Sequence, residues 1–98
     1  MIMYGLKKET LEMILNAFTQ YKQIHDVVLF GSRAIGTFKN GSDIDLCIKG
    51  DINKKLLLSI MNDLDSLFLP YEIDLTIYDK IDNDDLKEHI DRVGIKLM

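Results

Sequence analysis

The segment from Gly31 to Leu46, GSRAIGTFKNGSDIDL, constrains the fold of this chain more than any other feature. It comes directly after the apolar run Asp26–Phe30, so a Gly-Ser pair ends a strand that is predicted to be buried. The segment then enters a second strand pattern, in which only Ile44 separates Asp43 from Asp45. Asp is depleted in strands, and residues i and i+2 of a strand point to the same side. Two carboxylates on one face of a sheet therefore need a chemical reason.

The spacing of apolar residues predicts one domain over residues 1–98, in which helices and strands alternate. The predicted elements are a helix from Lys7 to about Gln23, a strand at Asp26–Phe30, a helical turn beginning at Ser32, a strand at Asp43–Lys49, a helix from about Lys54 that stops at Pro70, a strand at Tyr71–Tyr78, and a helix that is capped by Asn83 or Asp84 and ends at Gly94. This order, αβαβαβα, predicts an α/β (α+β) fold with a small mixed sheet packed against helices. The tail from Ile95 to Met98 is predicted to be a short edge strand or a loose end.

Charge and hydropathy argue against several classes of partner. The chain carries 12 Lys and Arg against 16 Asp and Glu, a net charge of −4, which argues against nucleic-acid binding through a broad basic surface. The longest apolar stretches, VVLF and LLLSIM, are far shorter than the roughly 20 residues of a membrane span, and the start of the chain lacks a signal-peptide core. The single cysteine, Cys47, cannot form an internal disulfide, and we predict that it packs in the core on the apolar side of its strand. We therefore expect a cytoplasmic protein with no membrane contact.

A third carboxylate is predicted to join the first two. The stretches SDIDLCI and YEIDLTI align without gaps, which places Asp45 opposite Asp74 and Asp43 opposite Glu72. If the two strands are neighbours, Asp74 lies beside Asp43 and Asp45. Two carboxylates ~4 Å apart repel each other by about 4 kcal/mol at an effective dielectric constant of about 20. A divalent cation converts that repulsion into coordination, and oxygen ligands favour Mg²⁺ or Mn²⁺ over Zn²⁺.

The Gly-Ser pair predicts a phosphate site beside these carboxylates. Gly31 has no Cβ, so phosphate oxygens can approach its backbone closely, and Ser32 offers a hydroxyl at the start of a short helical turn. We expect Arg33 to contact a phosphate or a partner rather than to serve the fold, and the isolated His25 and His89 to be structural. The alternatives are a plain strand-to-helix turn at Gly-Ser and a solvated acidic sheet face. A phosphate site and a carboxylate cluster together indicate nucleotidyl or phosphoryl transfer.

These residues resemble the signature of a known family. Gly-Ser, a short turn and Ser-Asp-x-Asp-Leu in GSRAIGTFKNGSDIDL, followed by EIDLTI, are similar to the motifs of the DNA polymerase beta-like nucleotidyltransferase superfamily. The small size of the chain makes it resemble a minimal nucleotidyltransferase (MNT) domain, the type paired as an antitoxin with HEPN-domain toxins. The resemblance covers essentially the whole chain. The residues that it implies are Asp43, Asp45 and Asp74 for catalysis and metal binding, and Gly31, Ser32, Arg33 and Ser42 for nucleotide binding.

The resemblance implies a Mg²⁺-dependent transfer of AMP from ATP to a hydroxyl group, with two Mg²⁺ ions, or Mn²⁺ in their place, on the triphosphate. Asp74 would bind one ion and help to deprotonate the acceptor, which the resemblance implies is a tyrosine of a HEPN toxin. Relatives that modify antibiotics or tRNA ends carry an extra domain for their acceptor, so we expect the acceptor surface to come from another molecule or from a second copy.

Two alternatives stay open. One is a non-catalytic module that neutralises a toxin by binding it, which Ile35 favours because this position is often basic in the family. The other is an antibiotic-type transferase that acts on a small molecule as a homodimer.

Overall fold

A computed structural model of the chain describes residues 2–98, which form a sheet with helices on both of its faces. The elements are β1 (Ile2–Met3), β2 (Leu6–Lys7), α1 (Lys8–Thr19), β3 (Ile24–Phe30), α2 (Ser32–Ile35), β4 (Ile44–Gly50), α3 (Lys54–Asp65), β5 (Ile73–Ile77), a 3-10 turn (Tyr78–Lys80), α4 (Asp84–Val93) and β6 (Ile95–Lys96). Across residues 2–98, none of the helices is long and apolar enough to cross a membrane.

The main sheet is mixed, which confirms the predicted fold class. Its four strands lie in the order β5-β4-β3-β6. Strand β3 pairs antiparallel with β4 and with β6, whereas β4 and β5 run parallel. The parallel pair is possible because helix α3 connects the two strands, as parallel strands require a crossover connection. Of the two predictions for the tail of the chain, the short edge strand is confirmed, because the tail contains β6. The β1–β2 hairpin was not predicted.

Two cores form because both faces of the sheet are covered. On one face, β3 and β4 pack against α1 and α3, with Phe18 and Ile60 fully buried. On the other face, Val28 and Cys47 pack against Ile90 of α4. Cys47 is buried, but its side of the strand was predicted wrongly. It lies two residues after Asp45 and shares that residue's face, and α4 is what covers it.

Element boundaries differ from the sequence prediction mostly at helix ends. Helix α1 ends at Thr19 because the chain turns there, with the amide of Tyr21 donating to the carbonyl of Phe18. Helix α3 ends at Asp65, several residues before Pro70. Of the two predicted caps for α4, Asn83 is the one used, and its side chain accepts hydrogen bonds from two backbone amides in the first turn.

Candidate active site

Three neighbouring strands bring the predicted site residues to one edge of the sheet. Phe30, the last residue of β3, pairs with Asp45 of β4, and Gly31 follows it directly. Asp45 in turn lies opposite Asp74 of β5 in the parallel ladder. Because antiparallel β3 ends where β4 and β5 begin, the Gly-Ser turn and both strand carboxylates meet at the same place. Asp43 precedes β4 directly and is exposed there.

Gly31 allows the carboxylate of Asp45 to lie against the main chain. Its backbone has φ +73° and ψ −155°, a region that essentially only glycine occupies. A Cβ atom at this position would lie 2.2 Å from Oδ2 of Asp45. Any other residue at position 31 would therefore displace the carboxylate. The glycine is required here by a close approach within the site itself.

Asp45 is the carboxylate that its surroundings perturb most clearly. It is half-buried, and burial raises its pKa above the ordinary value of 3.8. The neighbouring charges of Asp74 and Asp43 raise the pKa further. Burial disfavours the charged form, and like charges nearby do the same. The three aspartates thus interact electrostatically, as the alignment of the two strand motifs predicted.

The side chains of Asp43, Asp45 and Asp74 do not by themselves form a complete set of metal ligands. Among residues 2–98, no set of three His, Cys, Asp or Glu side chains is arranged to hold a metal ion by itself. Mg²⁺ in phosphate-transferring sites is usually held by one or two carboxylates together with phosphate oxygens and waters. The Asp45–Asp74 pair, with Asp43 near enough to influence it, supplies hard oxygen donors of that kind. The residues therefore fit an ion that is shared with a bound polyphosphate.

Arg33 is buried and makes contacts within the fold, which differs from the role that the sequence suggested. It is 3% exposed, and its guanidinium donates to the carbonyl oxygens of Ser42 at 2.7 Å and of Tyr4 at 2.9 Å. The guanidinium also lies over the rings of Phe38 and Tyr71, 5.3 and 5.0 Å from their centroids. These contacts hold α2 to the loop before β4 and to the N-terminal hairpin. The expectation that Arg33 contacts a phosphate is therefore corrected, because its charge is engaged by the fold.

The two serines of the predicted nucleotide site both accept local hydrogen bonds from nearby backbone amides. Ser32 is half-buried at the first position of α2, and its carbonyl accepts from the amides of Gly36 and Thr37. Ser42 shapes the loop before β4, since its hydroxyl oxygen accepts from the amide of Lys39 at 2.8 Å. Nucleotide binding by Gly31, Ser32 and Ser42 stays a prediction.

His89 reaches the site although it lies on the last helix. Its Nε2 accepts a hydrogen bond from the backbone amide of Gly31 at 3.2 Å, and its ring meets that of Phe30 edge to face. An imidazole nitrogen accepts only when it is unprotonated, so this contact requires an imidazole without a proton at Nε2. The sequence alone predicts only a structural role for His89. No local signal identifies it, because only the packing of α4 on the sheet brings it to Gly31.

Comparison with known families gives a match over most of the chain. Residues 12–98 match the family model described as polymerase beta, nucleotidyltransferase. No curated protein matches the sequence.

Solved structures with a similar fold include three toxin–antitoxin complexes. One is a toxin–antitoxin with AMP-PNP (TM-score 0.73, 20% identity, covering 90% of this chain and 72% of that chain). A second is a tri-AMPylated Shewanella oneidensis HEPN toxin in complex with an MNT antitoxin (TM-score 0.68, 16% identity, covering 93% and 71%). A third is the toxin–antitoxin MntA-HepT (TM-score 0.69, 16% identity, covering 94% and 72%). At these identities the similarity establishes the fold.

Proposed function

The chain belongs to the polymerase beta nucleotidyltransferase family, and we propose that it transfers AMP from ATP to a hydroxyl group of a partner protein. The observation that carries the proposal is the direct pairing of Asp45 with Asp74, with Asp45 packed against Gly31. Two structural neighbours support the choice of substrates, since one contains AMP-PNP and another contains a tri-AMPylated HEPN toxin with its MNT antitoxin. On this proposal the chain is a cytoplasmic antitoxin whose acceptor is a tyrosine of a HEPN toxin.

The proposed roles follow from where each residue lies. Gly31 and Ser32 would bind the β- and γ-phosphates at the end of β3. Asp43, Asp45 and Asp74 would hold Mg²⁺, which would neutralise charge on the triphosphate and on the departing pyrophosphate. Asp45 is half-buried and Asp74 is exposed, so the acceptor would approach from the side of Asp74.

In the proposed reaction, the acceptor oxygen forms a bond to the α-phosphorus of ATP. The bond between that phosphorus and the bridging α–β oxygen breaks, and its electron pair leaves with pyrophosphate. The proton of the hydroxyl passes to the carboxylate of Asp74, which lies on the exposed side of the pair. Positioning and charge neutralisation supply most of the rate in reactions of this type.

The test is label transfer with variants matched in charge. The protein would be incubated with the product of the neighbouring reading frame, Mg²⁺, and ATP radiolabelled at the α-phosphate. We expect label on the partner with the wild type, and none with Asp45→Asn or Asp74→Asn. Asp51→Asn makes the same charge change at an exposed position just after the other end of β4 and should retain activity. Transfer that survives Asp74→Asn would contradict the proposed base.

A second candidate is a module that neutralises the same partner by binding alone. It is favoured by the burial of Arg33 and by Ile35, which is 53% exposed where family members often carry a cation. Both features leave α2 without a cation directed toward the predicted phosphate site. A stable complex with the partner, unchanged by Asp45→Asn and accompanied by no label transfer, would support this candidate over the transferase.

A further inference from the structure

A groove beside the carboxylates connects the site to an exposed aromatic residue. It lies between the end of α3, the turn that follows α3 and the start of β5, and its volume is about 450 Å³. We name it the Phe68 groove, and the lining residues that matter here are Met61, Asp65, Phe68, Glu72, Ile73 and Asp74. Asp74 lines the groove and is also one of the three clustered aspartates. A molecule bound in the groove would therefore reach one of the proposed catalytic residues.

The backbone conformation at Phe68 leaves its side chain exposed to solvent. Its side chain is 91% exposed, and its φ of +52° is in the left-handed region, which is uncommon for a large non-glycine residue. The conformation is fixed by the turn after α3, where the amide of Phe68 donates to the carbonyl of Asp65. Aromatic residues are frequent energetic anchors of protein interfaces. Met61, on the preceding helix, adds exposed apolar surface to the same groove.

The charge of the groove favours a cationic occupant. Three of its lining residues are acidic, namely Asp65, Glu72 and Asp74, and in the described part of the chain none is basic. A triphosphate would be repelled by this lining, whereas a segment that carries Lys or Arg would be attracted. Asp65 and Glu72 are both exposed, so their charges face the solvent from which a partner would approach.

We propose that the Phe68 groove binds the acceptor segment of the partner protein, a polypeptide segment with basic and apolar side chains beside the hydroxyl that is modified. This inference rests on the proposed transferase function and adds where the acceptor binds and what chemistry selects it. An apolar side chain of the segment covers Phe68. A basic side chain lies near Asp65 and Glu72, and the hydroxyl is thereby presented to Asp74.

The probe is a pair of tyrosine copolymers that differ only in charge, poly(Lys,Tyr) and poly(Glu,Tyr). We expect label from ATP to pass to poly(Lys,Tyr) at least about tenfold more efficiently than to poly(Glu,Tyr), since both carry the same hydroxyl. Phe68→Ser should raise the KM for poly(Lys,Tyr) about tenfold and leave the KM for ATP unchanged. Phe68→Tyr keeps an aromatic ring and should restore most of the affinity. Leu58→Ser removes a residue of α3 that is 55% exposed but lies outside the groove, and should have no effect.

The role of charge is tested by reversing it inside and outside the groove. Asp65→Lys and Asp51→Lys change the net charge equally, but only Asp65 lines the groove. We expect Asp65→Lys alone to weaken binding of fluorescent poly(Lys,Tyr), measured by anisotropy without ATP. Equal losses in the two variants would overturn the proposal, as would a raised KM for ATP in Phe68→Ser or a change in oligomeric state in that variant. Binding that depends on the groove without any label transfer would instead refute the transferase function.

Discussion

Replacing Gly31 by alanine tests the geometry of the site through a single added methyl group. The backbone at Gly31 lies at φ +73° and ψ −155°, where a residue with a Cβ is strained by about 1–3 kcal/mol. The new Cβ would lie 2.2 Å from Oδ2 of Asp45. Normal carbon contacts are about 3.5–4.0 Å, so the carboxylate must move by more than about 1 Å. Moving it off its preferred rotamer costs about 0.5–1.5 kcal/mol more.

We therefore expect Gly31→Ala to destabilise the fold by about 2–4 kcal/mol, which for a domain of this size lowers Tm by roughly 10–25 °C. Gly36→Ala is the control, because Gly36 also has positive φ, at +95°, but a Cβ there meets nothing within 4 Å. It should cost only the backbone strain of about 1–2 kcal/mol. Thermal and urea unfolding followed by circular dichroism would measure both losses. Calorimetry with Mg²⁺ and ATP should show weaker binding for Gly31→Ala alone.

A double-mutant cycle separates the contact from the backbone strain. In an Asp45→Ala background the carboxylate is absent, so adding Gly31→Ala should cost about 1 kcal/mol less than it does in the wild type. Strict additivity of the two substitutions would refute the reasoning. It would mean that the close approach of Gly31 to Asp45 does not exist in solution or carries no energy.

The remaining predictions concern charge and hydrogen bonding around the same site. Asp45→Asn should raise Tm at pH 7 without divalent ions. Burial and neighbouring carboxylates raise the pKa of Asp45 in the folded state above its ordinary value of 3.8. The wild type therefore loses stability as the pH rises from 3.8 through the raised pKa. Over this pH range, the Tm of Asp45→Asn should increasingly exceed the Tm of the wild type. Arg33→Lys should lower the free energy of unfolding in urea by about 2–4 kcal/mol, since lysine cannot reproduce the planar fork, whereas the exposed Arg92→Lys should be neutral. His89→Leu removes the acceptor for the Gly31 amide and should cost about 1 kcal/mol, and His89→Gln, which keeps an acceptor at similar reach, should recover most of it in the same assay. Equal losses for Leu and Gln at position 89 would show that packing, and not the hydrogen bond, explains the effect.

Local patterns predicted most of the framework. The alternation in DIDLCIK and EIDLTI predicted two strands with aspartates on one side, and the structure has β4 and β5 there. The internal similarity of the two stretches paired Asp45 with Asp74, which is the observed register. Gly-Ser after an apolar run predicted the end of β3 and the turn α2. These features were accessible because strand parity and turn chemistry depend on a few consecutive residues.

Contacts between distant segments could not be predicted in this way. Arg33 lies in a polar turn, and nothing local indicates that carbonyl groups of Tyr4 and Ser42 enclose its guanidinium. His89 meets Gly31 only because α4 packs on the face of the sheet that carries Asp45. Each of these contacts joins segments far apart in the chain or in different elements, and a periodic pattern does not specify which segments meet.

Local sequence patterns specify the order of elements, the positions of the carboxylates and the Gly-Ser turn, because each depends on the spacing of nearby residues. Which side of the sheet each helix covers is fixed only when the elements pack together. That choice buries Cys47 beneath α4 on the acidic face and brings His89 to Gly31, while contacts between distant loops enclose Arg33. The physical reason is that burial depends on the packing of whole faces against one another, and this is a property of the assembled layers and not of any one segment.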